Sequence, residues 1–267
     1  MDSARPSPPA AETPAPAPPP PATLERCQTG IEALDAILAG GIPRGNMVLV
    51  AGSVGTGKTT LTLEFLIRGA ERGERSLFLS VTEATAKLLQ NVSSFEFFRT
   101  SLIEDGSLVL VDLPAITSKL GFDRDELSHE DLDLLLRTIH DLVTSLGIRR
   151  LVVDSITSLG YRIPRDEQLR DFLLRLGEIL AEANCTSLIV SEISPEPGRY
   201  STRGVEEAIV DGIVLLRSTR RLGDILRVLQ VVKMRGTSHS RALYVLELTP
   251  IGILLAPHLK GGRTVEE

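Results

Sequence analysis

Tryptophan is absent from this chain of 267 residues, and aromatic residues make up only 4% of it. Such a composition supplies few platforms on which unpaired nucleic-acid bases could stack. Cysteine is almost as scarce. Cys27 and Cys185 lie far apart, in no C-x-x-C or metal-ligand spacing, and read as inert thiols in a reducing cytosol. No apolar run approaches the roughly 20 residues that span a bilayer, and the N-terminus lacks a basic segment followed by an apolar one. The expectation is a soluble, unsecreted protein of the cytoplasm. An excess of positive charge is lacking too: 29 Lys and Arg stand against 35 Asp and Glu, a formal net charge of −6. A chain of that sign has no general attraction for an anionic membrane surface or for nucleic acid, so any nucleic-acid contact would have to be local.

What the sequence does have is 42% hydrophobic residues, enough for one substantial core. Residues 1–22, MDSARPSPPAAETPAPAPPPPA, contribute little to it. They are nearly all Pro, Ala and small polar residues, with too little apolar area to offset the entropy of ordering, and are expected to form a disordered tail. The tail reads as a passive spacer, although a polyproline run can also dock in an aromatic groove of a partner. Residues 23–260 are expected to form one domain and 261–267 a C-terminal tail. From Thr29 onward short β-rich runs alternate with helical stretches, the pattern of an α/β domain with a mostly parallel central sheet flanked by helices. Runs at 46–52, 76–81, 107–113, 149–155 and 185–192 read as central strands, and helices are clearest over 57–73, 130–146 and 166–183. The later segments DGIVLLRST, DILRVLQVVKMRG and RALYVLELTPIGILLAP read as strands joined by short turns, which predicts antiparallel strands at one edge.

Between the first strand and its helix stands Gly52-Ser53-Val54-Gly55-Thr56-Gly57-Lys58-Thr59, the G-x-x-x-x-G-K-[ST] pattern in the strand–turn–helix context that it requires. The glycines let backbone N–H groups turn inward around phosphate oxygens, and the helix N-terminus adds partial positive charge. Gly52, Gly55, Thr56, Gly57 and Thr60 are therefore read as nucleotide-binding together with Lys58, which would reach the β and γ phosphates. The hydroxyl of Thr59 would hold Mg²⁺, an ion that keeps several waters of its own. Its anionic partner is assigned to Asp154, at the end of Leu151-Val152-Val153-Asp154, because an acid at the carboxyl end of a buried strand faces the ligand crevice of an open α/β sheet. The expected ligand is Mg²⁺–ATP.

Hydrolysis also needs a group that orients or deprotonates water. Many ATPases place a glutamate directly after the strand aspartate, but here that residue is Ser155. The candidate must come from another strand, and Glu83, just past the carboxyl end of SLFLSV, is in the right place. Its competing reading is a helix N-terminal glutamate favoured by the dipole. Lys58 and Glu83 are thus the catalytic candidates.

These residues, with TGIEALDAILAGGIPRG ahead of the first strand, RRLVVDSITSL, RGVEEAIVDGIVLLR and KMRGTSH, resemble a single KaiC-type domain of the RecA superfamily of ATPases over about Thr29 to His258. The resemblance implies a RecA-like P-loop NTPase fold and assembly of identical chains into a ring, usually of six, with ATP bound between neighbours. It also implies that Lys233 and Arg235 approach the γ-phosphate from across the interface, and that Thr237 and His239 lie near the sugar and phosphates. The residues agree on one point: a period of two in VVKMRG puts Lys233 and Arg235 on one face of a strand, so both can point at the same anion. Without the resemblance, two cations protecting an edge strand would be the simpler reading.

Three departures qualify what the resemblance implies. KaiC-type domains often carry two adjacent glutamates where this sequence has Thr82-Glu83, and the first, usually regarded as catalytic, aligns with Thr82. A threonine cannot act as a carboxylate base, so hydrolysis is expected to be slow or to rely on Glu83 after a small shift. Glu206-Glu207 in GVEEAIVDG replaces the phosphoacceptor Ser-Thr pair of clock-type KaiC proteins, and Thr249-Pro250 replaces a Thr-Asp pair that the family often places near the nucleotide. The expected function is a slowly hydrolysing oligomeric ATPase whose nucleotide state signals to a protein partner. Alternatives are a KaiC-type serine/threonine kinase or autokinase, a RadA- or RecA-like DNA-handling ATPase using Arg217, Arg220, Arg221 and Arg227, and a module in which ATP is a structural ligand alone.

Overall fold

The computed structural model describes residues 24–115, 126–193, 199–221, 223–258 and 265–266; the tail expected at 1–22, and 261–264 and 267 of the second tail, lie outside the described residues. The described chain opens with two short strands, Arg26–Cys27 (β1) and Ile42–Pro43 (β2), paired antiparallel around a helix, Glu32–Ile37 (α1). Met47–Gly52 (β3), buried along its whole length, runs into the glycine-rich loop and then into Lys58–Ala70 (α2). Next come Ser76–Ser80 (β4), Thr85–Val92 (α3), Ser101–Glu104 (α4), Leu108–Asp112 (β5), His129–Leu146 (α5) and Arg150–Asp154 (β6). Ile156–Tyr161 (α6), Asp166–Glu182 (α7), Thr186–Glu192 (β7) and Glu206–Ile209 (α8) complete the alternating part. Gly212–Arg221 (β8), Asp224–Met234 (β9), Tyr244–Thr249 (β10) and Gly252–Pro257 (β11) follow as consecutive strands, and Val265–Glu266 (β12) pairs with β8.

The main sheet has the order β11-β10-β9-β8-β3-β7-β6-β4-β5. Every pairing from β8 through to β5 is parallel, and every pairing from β8 out to β11 is antiparallel. This is the mostly parallel sheet with antiparallel strands at one edge that the patterning predicts. One expectation is corrected. The run 107–113 is not central: among the described residues β5 is the outermost parallel strand, paired with β4 alone, and four of its five residues are half-buried. Its apolar pattern matches that of the inner strands because helices shelter its faces, and the number of strand neighbours leaves no mark in a local sequence.

The two faces of the sheet carry two cores. Along β3, Val48 and Val50 pack with Phe65 and Leu66 of α2, whereas Leu49 and Ala51 pack with Ile139 of α5 and Phe172 and Leu173 of α7. The buried residues of α5, Leu132, Leu135, Leu136, Ile139 and Val143, recur at the spacing of one helical face. That helix starts at a reciprocal cap between Ser128 and Asp131 and stops at Gly147, whose φ of 63° is left-handed. Among the described residues, no helix is long and apolar enough to cross a membrane.

Candidate functional site

The chain leaves the carboxyl end of β3 between β7 and β8 and re-enters the sheet at β4, three strands away, so a crevice opens above Gly52. Sterics dictate glycine there: a Cβ on Gly52 would lie 2.6 Å from the Leu216 carbonyl oxygen and 2.8 Å from Thr56 Oγ1. Gly57, the N-cap of α2, has a left-handed φ of 96°, and a Cβ there would press on Leu248 at 3.2 Å. The fully buried Thr56 donates its hydroxyl to the Ser53 carbonyl at 2.8 Å. Its side chain staples the loop, so only its backbone N–H is left to offer a phosphate. That narrows its expected role.

Lys58 Nζ donates to the carbonyls of Gly52 at 2.8 Å and Ser53 at 2.9 Å, a geometry that holds the ammonium over the loop. Burial pulls its pKa down, opposed by the nearby charges of Asp154 and Glu192. Thr59 Oγ1 donates to Asp154 Oδ2 at 2.7 Å, which joins the start of α2 to the end of β6. Burial pushes the Asp154 carboxyl up, countered by the Thr59 hydroxyl and Lys58 and reinforced by Glu83 and Glu192. A hydroxyl and a carboxylate in contact, both hard oxygen donors beside a phosphate loop, fit a Mg²⁺ ion that would take its other ligands from water and phosphate.

A cleft of about 270 Å³ brings Lys58, Thr59, Thr82, Glu83 and Asp154 together. A second, of about 290 Å³, continues on the far side of the loop, lined by Gly55, Gly57, Lys58, Thr59, Thr60 and Leu248. Glu83 enters the first cleft, but its carboxylate is held at the rim by Asn91 Nδ2 at 3.4 Å and Lys87 Nζ at 3.8 Å. The first cleft also contains Glu192, which the sequence reasoning missed. It ends β7 directly opposite Gly52. Its backbone is fixed by Thr157 Oγ1, which accepts from its N–H at 2.9 Å, and by Thr202 Oγ1, which donates to its carbonyl at 3.3 Å. The rule that points to Asp154, an acid closing an apolar strand, applies equally to CTSLIVSE, but it does not say that this strand lies beside β3.

The cations of KMRGTSH lie elsewhere. Lys233 Nζ donates to the carbonyls of Val210 at 2.7 Å and Glu207 at 3.3 Å, and Arg235 pairs with Asp211 at 3.0 Å. Asp211 in turn exchanges backbone and side-chain hydrogen bonds with Met47, the first residue of β3. Burial lowers the pKa of Lys233, and Arg235 beside it adds to the effect. The Thr237 hydroxyl accepts from Arg26, and His239 Nδ1 lies 3.4 Å from the Thr237 carbonyl. None of these four lines either cleft at the phosphate loop. Arg227, grouped above with the hairpin arginines, donates from Nε to the Gly55 carbonyl at 3.0 Å, so one of its donors ties the antiparallel wing to the phosphate loop.

The KaiC ATPase family matches residues 27–260. The chain belongs to that family. A UPF0273 protein of Pyrococcus furiosus is 34% identical over 250 residues, covering 91% of this chain and 99% of its own length. The circadian clock oscillator protein KaiC of Synechococcus elongatus is 31% identical over 235 residues, 88% of this chain but 44% of that one. Among solved structures, a KaiC-like protein of Pyrococcus horikoshii OT3 matches with a TM-score of 0.75 at 32% identity, over 88% of this chain and 100% of that one. The architecture is therefore the KaiC-like RecA fold, and the relatives matched along their whole length carry one such domain. In this KaiC-family chain Thr82 lines the first cleft beside Glu83 and presents a hydroxyl there.

Proposed function

We propose that this KaiC-family ATPase binds Mg²⁺–ATP between two copies of itself and hydrolyses it slowly, with the nucleotide state read by a protein partner. One observation carries the reading: β3 opens into the phosphate loop at one end, and Lys233 and Arg235 are anchored at the other. Each copy thus holds two half-sites facing opposite ways. Copies stacked head to tail bring the carboxyl end of one β3 against the cation loop of the next, and such a heterologous contact closes into a ring when the rotation permits. Val54, 84% exposed at the tip of the loop, is then covered by the neighbour.

In this reading backbone amides of Gly55 to Thr60 and the Lys58 ammonium grip the triphosphate, and Thr59 and Asp154 would hold a magnesium ion. Bound there, the ion neutralises phosphate charge. Water attacks the γ-phosphorus, the bond to the β-phosphate oxygen of ADP breaks, and Glu83 accepts the proton of the water. Lys233 and Arg235 of the neighbour offset the charge that spreads over the transferring group. Slowness follows from Thr82, which cannot take a proton, and from the hold of Asn91 and Lys87 on Glu83. Autophosphorylation is disfavoured because Glu206 and Glu207 leave no acceptor hydroxyl at their positions.

Solution mass with and without Mg²⁺–ATP, read beside labelled-ATP turnover, tests the proposal. The expected result is a multimer favoured by ATP and free labelled phosphate as product, with turnover lost in Lys58→Ala and Asp154→Asn. A monomer that turns over ATP overturns the shared site, and a labelled protein product overturns the ATPase reading in favour of a kinase.

A further inference from the structure

The segment TGIEALDAILAGGIPRG and the strand before it take no part in the phosphate seat, yet they are built with care around one side chain. Arg26, in β1, donates from one terminal nitrogen to Thr237 Oγ1 at 2.8 Å, Gly41 O at 2.9 Å and Leu38 O at 3.3 Å, and from the other to Gly236 O at 3.3 Å. Its guanidinium therefore bridges the turn at 38–41 and the loop that leaves β9 after Lys233 and begins at Arg235. A second tie runs alongside, from the Ser240 N–H to the Ile37 carbonyl at 3.0 Å. The turn can approach β1 only as glycine: Gly41 has a φ of 117°, and a Cβ there would stand 2.5 Å from the Cys27 carbonyl oxygen. Asp35 fixes the front of α1 by accepting from the N–H of Thr29 at 2.6 Å and of Gly30 at 3.1 Å. The result is a rigid bracket, and what it holds is a stretch with no regular structure of its own, residues 235–243.

We propose that Arg26 is the positioning residue of the cation loop: it fixes Gly236 and Thr237 so that Lys233 and Arg235 of one copy meet the phosphate seated on the next. The inference rests on the shared-site reading. Two physical points support it. A planar guanidinium presents five donors in a fixed fork, which lets one side chain hold four acceptors on two segments; an ammonium has three and no plane. Arginine has no acceptor, so the Thr237 hydroxyl can only accept from it, and the Thr237 O–H is left to donate to an oxygen outside the bracket. Ordering the loop beforehand removes that entropy cost from the step in which charge develops.

The test uses the full chain and pairs of variants co-expressed with different tags and purified through both. Lys58→Ala lacks a working seat but keeps its loop; Lys233→Ala and Arg26→Ala keep their seats. Alone, Arg26→Ala is expected to retain ATP and to lose about ten-fold in turnover, with Arg26→Lys between it and the natural protein. Paired with Lys58→Ala, either loop variant should recover about one quarter of natural turnover, since half of the seats are intact and half of those face an intact loop. Full turnover by Arg26→Ala alone overturns the proposal. So does failure of the Lys58→Ala and Arg26→Ala pair while the Lys58→Ala and Lys233→Ala pair recovers, for the defect is then in the fold of the Arg26 variant itself. Failure of both pairs in assembled protein overturns the shared site, and the inference with it. Should Arg26→Ala not fold, Arg26→Met keeps the apolar stem, removes the donors and answers the same question.

Discussion

Dilution is the sharpest perturbation of a site divided between copies. Lys233 and Arg235 end at Val210 and Asp211, level with Met47 at the start of β3, and the phosphate loop begins beyond Gly52 at its other end. Five residue steps of extended chain span about 17 Å. The four-carbon stem of a lysine closes only about a third of that gap, and the remainder would require β9 to leave β8, its antiparallel partner over ten residue pairs. A single copy thus has no route for its own cations to its own γ-phosphate. Cations supplied in trans to phosphoryl transfer contribute about 10³-fold or more, or about 4 kcal/mol of barrier. At saturating Mg²⁺–ATP, turnover per chain should therefore fall with dilution in step with the loss of assembled mass, to about one thousandth of the assembled rate in free copies. Phosphate release measured over a broad dilution series beside light scattering checks this. Undiminished turnover per chain in samples that scatter as monomers would refute the reasoning. Lys233→Ala at high concentration should match the dissociated natural protein in turnover while remaining assembled.

Three further outcomes are expected. Glu83→Gln should lower turnover of bound ATP by about 10²-fold without weakening ATP retention; an unchanged rate, with the loss appearing in Glu192→Gln instead, would transfer the role of base to Glu192. Gly69→Ala should destabilise the fold by about 3–5 kcal/mol in urea unfolding, because its Cβ would sit 2.2 Å from Nε of the 1%-exposed Arg150 and expel a guanidinium that donates to Phe65 O at 2.7 Å and to Glu74 Oε2 at 2.5 Å; a loss below about 1 kcal/mol would contradict that packing. Lys233 has its pKa lowered by burial and by Arg235, so in the window between that lowered value and the ordinary lysine value the unfolded chain binds more protons than the folded one. Its contribution to stability should rise with pH there while turnover falls with loss of the charge; Lys233→Arg, always charged, should move the alkaline fall in turnover to higher pH, leaving the part that Lys58 contributes, and an unmoved fall would count against Lys233.

The phosphate loop was legible because most of its pattern is local, Gly57 at a left-handed turn and Lys58 and Thr59 in the first turn of α2; Gly52 is dictated instead by the Leu216 carbonyl of a distant strand. Asp154 was legible for a similar reason, since a strand end is visible in sequence and its crevice follows from the parallel sheet. What could not be read were the facts of neighbourhood. Glu192 closes its strand just as Asp154 does, but its importance depends on β7 lying directly beside β3, which only the strand order fixes. Arg227 looks like part of a solvated arginine cluster until pairing in the antiparallel wing brings it to the Gly55 carbonyl. Thr56 fits a phosphate-binding pattern by type, yet its hydroxyl is spent within the loop. The apolar run of β5 resembles that of an inner strand although four of its five residues are half-buried, because the number of strand neighbours leaves no mark in a local sequence.

The proposed arrangement of half-sites would also decide what a nucleotide can signal. In the shared-site reading, a ligand changes assembly only through contacts that differ between bound states, and the γ-phosphate is the part of ATP that the neighbour's Lys233 and Arg235 would meet. Loss of that group on hydrolysis therefore weakens the interface, while assembly, by reciprocity, tightens ATP; coupling of this kind is typically about 1–3 kcal/mol per site. In that reading Thr82, which cannot take a proton, would prolong the tight state. A partner that reads the interface would then report how long ago ATP was bound, and the bracket around Arg26 is the element through which a change at the N-terminal strand could alter that interval, because it grips the same loop.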